Sequence, residues 1–187
     1  MPIKNIERTS SHINDMDGIV IATERLFLRE WLSEDFRYFK PIATNPQVMQ
    51  YIGTGALWSD EKIKQFIDNH IAQYKKYKFC FWALVHQGTQ TLIGICGLSL
   101  LNEPDEIEIG WWLTPDYWGR GLATEAAQAV MSYGFERLAL PKIISIAQPA
   151  NQRSIRVMEK LGMHFEKMST DRHGIEVVYY TQRSGHE

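Results

Sequence analysis

The chain has 187 residues, of which 44% are hydrophobic and 22% charged, and its formal net charge is -2. That size suits one core with little left over for a second. The charge excludes the broad basic field that draws nucleic acid or an anionic membrane surface. The two cysteines, Cys80 and Cys96, lie in the apolar runs FCFWALV and LIGICGL and form no CxxC pair. They read as buried reduced thiols, not as a disulfide or a nucleophile.

Residues 1–18 are polar and aperiodic, without an apolar signal core, and read as a flexible N-terminal arm. Residues 19–183 carry the pattern of a single domain. No run approaches transmembrane length, so the expected setting is cytoplasmic, with no membrane partner. Leu26, Leu28 and Glu30 alternate with Phe27, Arg29 and Trp31, as in a strand. Ser33 is a candidate cap for a helix that Pro41 limits. Ile63, Phe66, Ile67, Ile71 and Tyr74 then recur at helical spacing, behind Ser59 or Asp60 as cap. Three strand-like runs follow, FCFWALVH, TLIGICGLSLL and EIEIGWWLT, with turns at QGTQ and NEPD. A helix runs to about Leu138 and stops before Pro141; KIISIAQ is a short buried strand; NQRSIRVMEKL is a helix closed by Gly162. MHFEKMST and IEVVYYTQ finish as two strands around a turn at Arg172–Gly174. The order predicts an α+β (mixed α/β) fold, a mixed sheet with helices on its faces.

The stretch YWGRGLATEAAQAV places Gly119 and Gly121 after a strand and at the mouth of a helix. The first turn of a helix has unpartnered N–H groups and a partial positive charge, and glycine lets backbone approach a ligand closely. The step is therefore a candidate phosphate cradle, with Arg120 adding a cation; the competing reading is a tight turn with no ligand. No Gly-Lys-Ser/Thr follows, and Thr124 stands where a dinucleotide fingerprint needs its third glycine, so both familiar phosphate loops fail. In the next helix Asn151 stands at a natural cap and Ser154 three residues on. Their polar groups reach the same ligand if the two helices lie side by side; otherwise Asn151 is a cap alone.

EIGWWLTPDYWGRGLATEA followed by ANQRSIRVMEKLGM resembles the GNAT superfamily of acetyl-CoA-dependent N-acetyltransferases, most of all the branch with the ribosomal-protein N-terminal acetyltransferases, which also begins like TERLFLREW. The resemblance spans about Thr23 to Tyr180. It implies a central, mostly antiparallel, twisted sheet of about seven strands, splayed in the middle and flanked by about four helices. It puts the coenzyme pyrophosphate on Trp118, Gly119, Arg120, Gly121, Leu122, Ala123 and Thr124. Trp118 stands where the wider family has Arg or Gln, which questions any side-chain role there. The resemblance also lays the pantetheine arm along Trp111 to Leu113, makes the Leu113 N–H the group that polarises the acetyl carbonyl, and brings Asn151 to the pantetheine.

Acetyl transfer to an amine needs a neutral nucleophile, a donor for the developing oxyanion and a proton for the departing thiolate. Asp105, Glu106 and Glu108 are the nearby acids. Glu108 lies closest to the glycine step and matches the glutamate of the related branch, so it is the candidate base; a solvated strand glutamate is the bland alternative. The second helix has no tyrosine to act as acid, and Ser154 matches a serine of the branch, with water as the other source of the proton. The six histidines show no ligand spacing, so no metal is expected. The acceptor would be bound by residues 36–51, the helix from Trp58 to Lys78 and residues 168–176. Its aromatics read mostly as core, and the lysines ending that helix would disfavour a polycation. Three readings remain: an acetyltransferase for a peptide α-amine, one for a small amine, and a non-catalytic acyl-CoA-binding module. A monomer and a homodimer both fit.

Overall fold

The computed structural model describes residues 18–101 and 106–185. The arm expected at residues 1–18, apart from Gly18, and the NEPD turn with Asp105 fall outside them. Eight strands form one sheet: β1 (Ile19–Ala22), β2 (Leu26–Arg29), β3 (Phe81–His86), β4 (Thr91–Leu100), β5 (Ile107–Leu113), β6 (Lys142–Ala147), β7 (His164–Thr170) and β8 (Glu176–Arg183). Their spatial order is β1-β2-β3-β4-β5-β6-β8-β7. Every neighbouring pair is antiparallel except β5 and β6, which run parallel. The helices are α1 (Phe36–Ala43), α2 (Pro46–Met49), α3 (Asp60–Tyr77), α4 (Leu122–Ser132) and α5 (Gln152–Lys160).

Three local expectations change. The first strand-like run is two strands, because Thr23 closes a turn: its Oγ1 accepts the Leu26 N–H at 3.1 Å. Ser33 caps nothing and opens a short 3-10 turn held by Asp35, whose carboxylate takes the Leu32 N–H at 2.8 Å and two Arg29 nitrogens at 2.7 Å. Pro41 sits inside α1 and does not limit it, since the helix ends two residues later. The extra helix, α2, starts from Asn45, whose side chain accepts the Gln47 N–H at 2.9 Å, with Pro46 at the first helical position.

Alternation along β5 divides the molecule into two layers. Trp112 stacks on Phe39 of α1 and Phe66 of α3, so the even residues of β5 face α1 and α3. Ile109 pairs with Leu98, and Leu98 lies beneath Gly134 in the π-helical turn that continues α4, so the odd residues face the α4 side. The core occupies both sides: Phe39, Ile63, Trp82 and Ile95 are fully enclosed, as are Ile109, Ala126 and Ile143. Cys80 and Cys96 are buried free thiols, and burial pushes both well above the usual thiol range.

Candidate active site

The sheet opens between β5 and β6. The two strands share one ladder position, Glu108 with Ile144, and show no pairing beyond it toward their C-terminal ends among the described residues. Just past it the Ser145 hydroxyl donates to the Ile109 carbonyl at 3.0 Å, a side chain filling a role that backbone no longer fills. Toward β4 the antiparallel bonds fall on even residues of β5 and their neighbours in phase: Leu101 N–H to the Glu106 carbonyl at 2.9 Å, and Thr114 N–H to the Ile93 carbonyl at 2.8 Å. Antiparallel bonding alternates, so the N–H and C=O of Trp111 and the N–H of Leu113 point away from β4, into the opening. The Leu113 carbonyl accepts the indole N–H of Trp118 at 2.7 Å. Trp118 is thereby a brace between strand and loop, which answers what a tryptophan does at that position.

The glycine step closes the top of this opening. Gly119 and Gly121 have φ of 72° and 77°, the left-handed region that glycine enters without strain. Gly121 is the N-cap of α4 and no side chain caps the helix. The first bond inside α4 is from Glu125 N–H to the Gly121 carbonyl, so the N–H groups of Leu122, Ala123 and Thr124 stand ahead of the helical ladder. Arg120 lies over the Tyr117 ring at 5.3 Å. An ion pair that sequence reading missed fixes the loop: Arg25 bridges Glu125 of α4 at 2.7 Å and the Arg120 carbonyl at 3.0 Å. The guanidinium of Arg153, in the first turn of α5, lies 4.5 Å from the Trp118 ring centre, so the starts of α4 and α5 are neighbours, the condition under which Asn151 and Ser154 reach the same ligand as the glycine step. Asn151 does cap α5, accepting the Ser154 N–H at 3.2 Å. Its amide nitrogen and the Ser154 hydroxyl make no hydrogen bond among the described residues. An uncapped helix start, two left-handed glycines and outward-facing strand amides fit a pyrophosphate followed by an extended, amide-bearing arm.

On the other face, beside Glu108, lies a cavity of about 440 Å³. Trp58, Phe66, Phe81 and Trp112 give it an aromatic wall, and Lys62, Arg172 and His173 stand among its polar lining. Phe39, an aromatic of residues 36–51, is core with no exposure, in line with the sequence reading of that segment's aromatics. The lysines at the end of α3 do not line this cavity; Lys76 and Lys78 lie over the rings of Tyr77 and Tyr74. Glu108 pairs with Ser99 across β4 and shares its face with Trp112. Burial raises its carboxyl from the ordinary value near 4.5 to about 7, with the nearby Arg172 charge acting in the opposite direction. Glu106, its neighbour on the face, is committed elsewhere: it accepts the Tyr179 hydroxyl at 2.6 Å and pairs with Lys142 at 3.4 Å, which holds its carboxyl low. His70 sits under the pocket against Phe66, and burial lowers its imidazole to about 4, so the ring is neutral.

A strand pair that stops pairing beside an uncapped helix start is the arrangement that the GNAT resemblance implies for an acetyl-CoA-dependent acetyltransferase. The sequence pattern of the acetyltransferase (GNAT) domain matches residues 25–164, and the chain belongs to that family. It is 34% identical over 146 residues to the uncharacterized N-acetyltransferase YnaD of Bacillus subtilis (strain 168), covering 78% of this chain and 83% of YnaD. It is 30% identical over 146 residues to the spermidine N(1)-acetyltransferase of Escherichia coli (strain K12), covering 74% and 73% of the two chains. The solved structure of RimL, a ribosomal L7/L12 alpha-N-protein acetyltransferase in complex with coenzyme A, superposes with a TM-score of 0.77. It shares 17% identity and covers 90% of this chain and 99% of that one, a likeness of fold. The chain is thus an acetyl-CoA-dependent N-acetyltransferase of the GNAT fold, with eight strands where the sequence pattern had suggested about seven.

Proposed function

We propose that the chain acetylates a primary amine by direct attack in a ternary complex, with the coenzyme in the β5–β6 opening and the amine delivered from the aromatic pocket. The observation that carries this reading is the placing of Glu108. It is the last residue at which the two strands pair, and its side chain lies on the pocket face.

Acetyl-CoA, when bound, supplies a thioester carbonyl open to attack and a thiolate that can leave. The N–H groups of Leu122, Ala123 and Thr124 would hold its pyrophosphate, with Gly119 and Gly121 allowing close approach and Arg120 adding charge. The backbone of Trp111 and the amide nitrogen of Asn151 would hold the arm. The Leu113 N–H is the donor for the carbonyl oxygen. Glu108 takes the proton from the incoming ammonium, directly or through water, and a carboxyl near 7 is suited to a base at neutral pH. Ser154 is the proposed proton donor to the leaving sulfur, since α5 offers no tyrosine. A small molecule is the favoured acceptor, on the cavity volume and the 30% relative that acts on spermidine. A protein N-terminal α-amine is the second reading, supported by the likeness of fold to RimL. The buried reduced thiols agree with a cytoplasmic setting.

The test is release of free thiol from acetyl-CoA against a panel of small amines and short peptides, with wild type and Glu108→Gln. Amine-dependent release that falls in the variant supports the reading. Tight acetyl-CoA binding with no release from any amine makes the chain a non-catalytic coenzyme-binding module.

A further inference from the structure

Resting on the acetyl-transfer reading, we infer that the acceptor is a small primary amine that also carries an anionic group, a carboxylate or a phosphate, read by Lys62 and Arg172 at the pocket mouth. The polar side chains lining the cavity are Lys62, Arg172, His70 and His173 together with the amides of Gln65, Asn69 and Gln73 and the hydroxyls of Thr54 and Ser99. Among the described residues no carboxylate lines it. A polyamine needs acids at each of its cationic centres, so this lining is the reverse of a polyamine site.

Three carboxylates near the pocket are held by other partners. Asp171, next to Arg172 in sequence, turns its Oδ1 inward to accept the N–H of His173 at 2.8 Å and of Ile175 at 2.9 Å. Asp60, at the start of α3, pairs with Lys40 at 2.7 Å, and Glu106 is held by Tyr179 and Lys142. Glu108 is left, and its work is with the amine. Arg172 and Lys62 make no salt bridge among the described residues.

Both cations are also positioned. Lys62 lies over the Trp58 ring at 4.7 Å. The Arg172 Nε donates to the His173 Nε2 at 3.3 Å, and the His173 ring packs against Gly53, where a Cβ would meet Cδ2 at 3.3 Å. Gly53 is itself tied down, its carbonyl accepting the Gln148 side chain at 2.9 Å. Three loops that meet around the mouth therefore hold a planar donor fork beside an aromatic wall, an arrangement that suits a carboxylate or phosphate on a compact, partly apolar molecule.

The experiment compares matched amines by thiol release: phenylalanine with phenethylamine for a carboxylate, phosphoethanolamine with ethanolamine for a phosphate, and spermidine as the polycation. The expected result is that an anionic member exceeds its neutral twin and spermidine at least tenfold in kcat/KM, and that Lys62→Gln and Arg172→Gln each reduce that ratio severalfold, mainly through KM. Which pair shows the ratio identifies the anion. Preference for spermidine or for the neutral twins overturns the inference and leaves acetyl transfer standing, as does a ratio that survives both substitutions. Protein that binds acetyl-CoA and releases thiol with a short peptide but with none of the five overturns the inference alone, and release with neither the five nor a peptide panel overturns both.

Discussion

Around the β5–β6 opening, the groups left to meet a ligand belong mostly to the backbone of two short contiguous stretches, Trp111–Thr124 and Asn151–Ser154. Around the neighbouring pocket they are side chains from α3, β3, β4, β5 and two distant loops. Backbone recognition is conferred by conformation, so it tolerates any side chain that permits the conformation and fails where φ is wrong. Side-chain recognition is conferred residue by residue and changes with each substitution. The coenzyme half should therefore be sensitive at its glycines and indifferent at exposed loop positions such as Asp116, while the acceptor half should be retuned by single charges.

The largest effect expected from breaking this division is at Gly121. Its φ of 77° strains any L side chain, and its place at the α4 N-cap would put an acidic one beside the proposed pyrophosphate site. Gly121→Glu should weaken acetyl-CoA binding by more than about 100-fold, through both backbone strain and like-charge repulsion.

Next is Glu108→Gln, which should lower kcat by about 10²–10³-fold. It has a second signature. A folded carboxyl near 7 against an ordinary 4.5 means that the native state keeps a proton the unfolded chain has lost. Stability therefore falls as pH rises from about 4.5 to about 7, and the penalty persists above that. The variant, which cannot ionise, should melt higher than wild type at pH 8, by about 1–2 kcal/mol of stability, in a pH series of thermal denaturation.

His70 gives the opposite sign. Its folded imidazole near 4 lies below the ordinary 6.5, so the unfolded chain binds the extra proton and stability is lost as pH falls from about 6.5 to about 4. His70→Phe should remove about 2 kcal/mol of that acid sensitivity, read from denaturant midpoints at pH 7 and pH 4.5.

Smaller effects sharpen the comparison. Ser154→Ala should reduce kcat several-fold and leave coenzyme affinity near wild type; a loss of affinity would make Ser154 part of the coenzyme grip instead. Arg172→Gln removes the charge that opposes burial at Glu108, so the rise of kcat/KM with pH should move to higher pH for a neutral amine.

The same division explains what the sequence made legible. The glycine step, the Asn151 cap and the last acid before the apolar run each announce themselves locally, because helix starts and strand faces are set by a few adjacent residues. The splay itself has no local signature. Ser145 reads as one polar residue in KIISIAQ, and its bond to the Ile109 carbonyl exists only once β6 lies against β5. Arg25 was equally silent, since its partners Glu125 and the Arg120 carbonyl lie 100 and 95 residues further along the chain. The pocket was hardest to read. Residues 52–56 fall between two elements, and Lys62 and Arg172 are charged residues of the kind usually solvated, until the loops at Gly53 and His173 meet. The lysines that did stand out, at the end of α3, lie over tyrosine rings outside the pocket.

The most direct test of this account is titration calorimetry of acetyl-CoA into wild type, Glu108→Gln and Gly121→Glu under one set of conditions. Equal, tight binding by wild type and Glu108→Gln, with none by Gly121→Glu, is the predicted result: the coenzyme is gripped by backbone at the glycine step, and Glu108 serves only the amine. Wild-type affinity in Gly121→Glu, or lost affinity in Glu108→Gln, would contradict it.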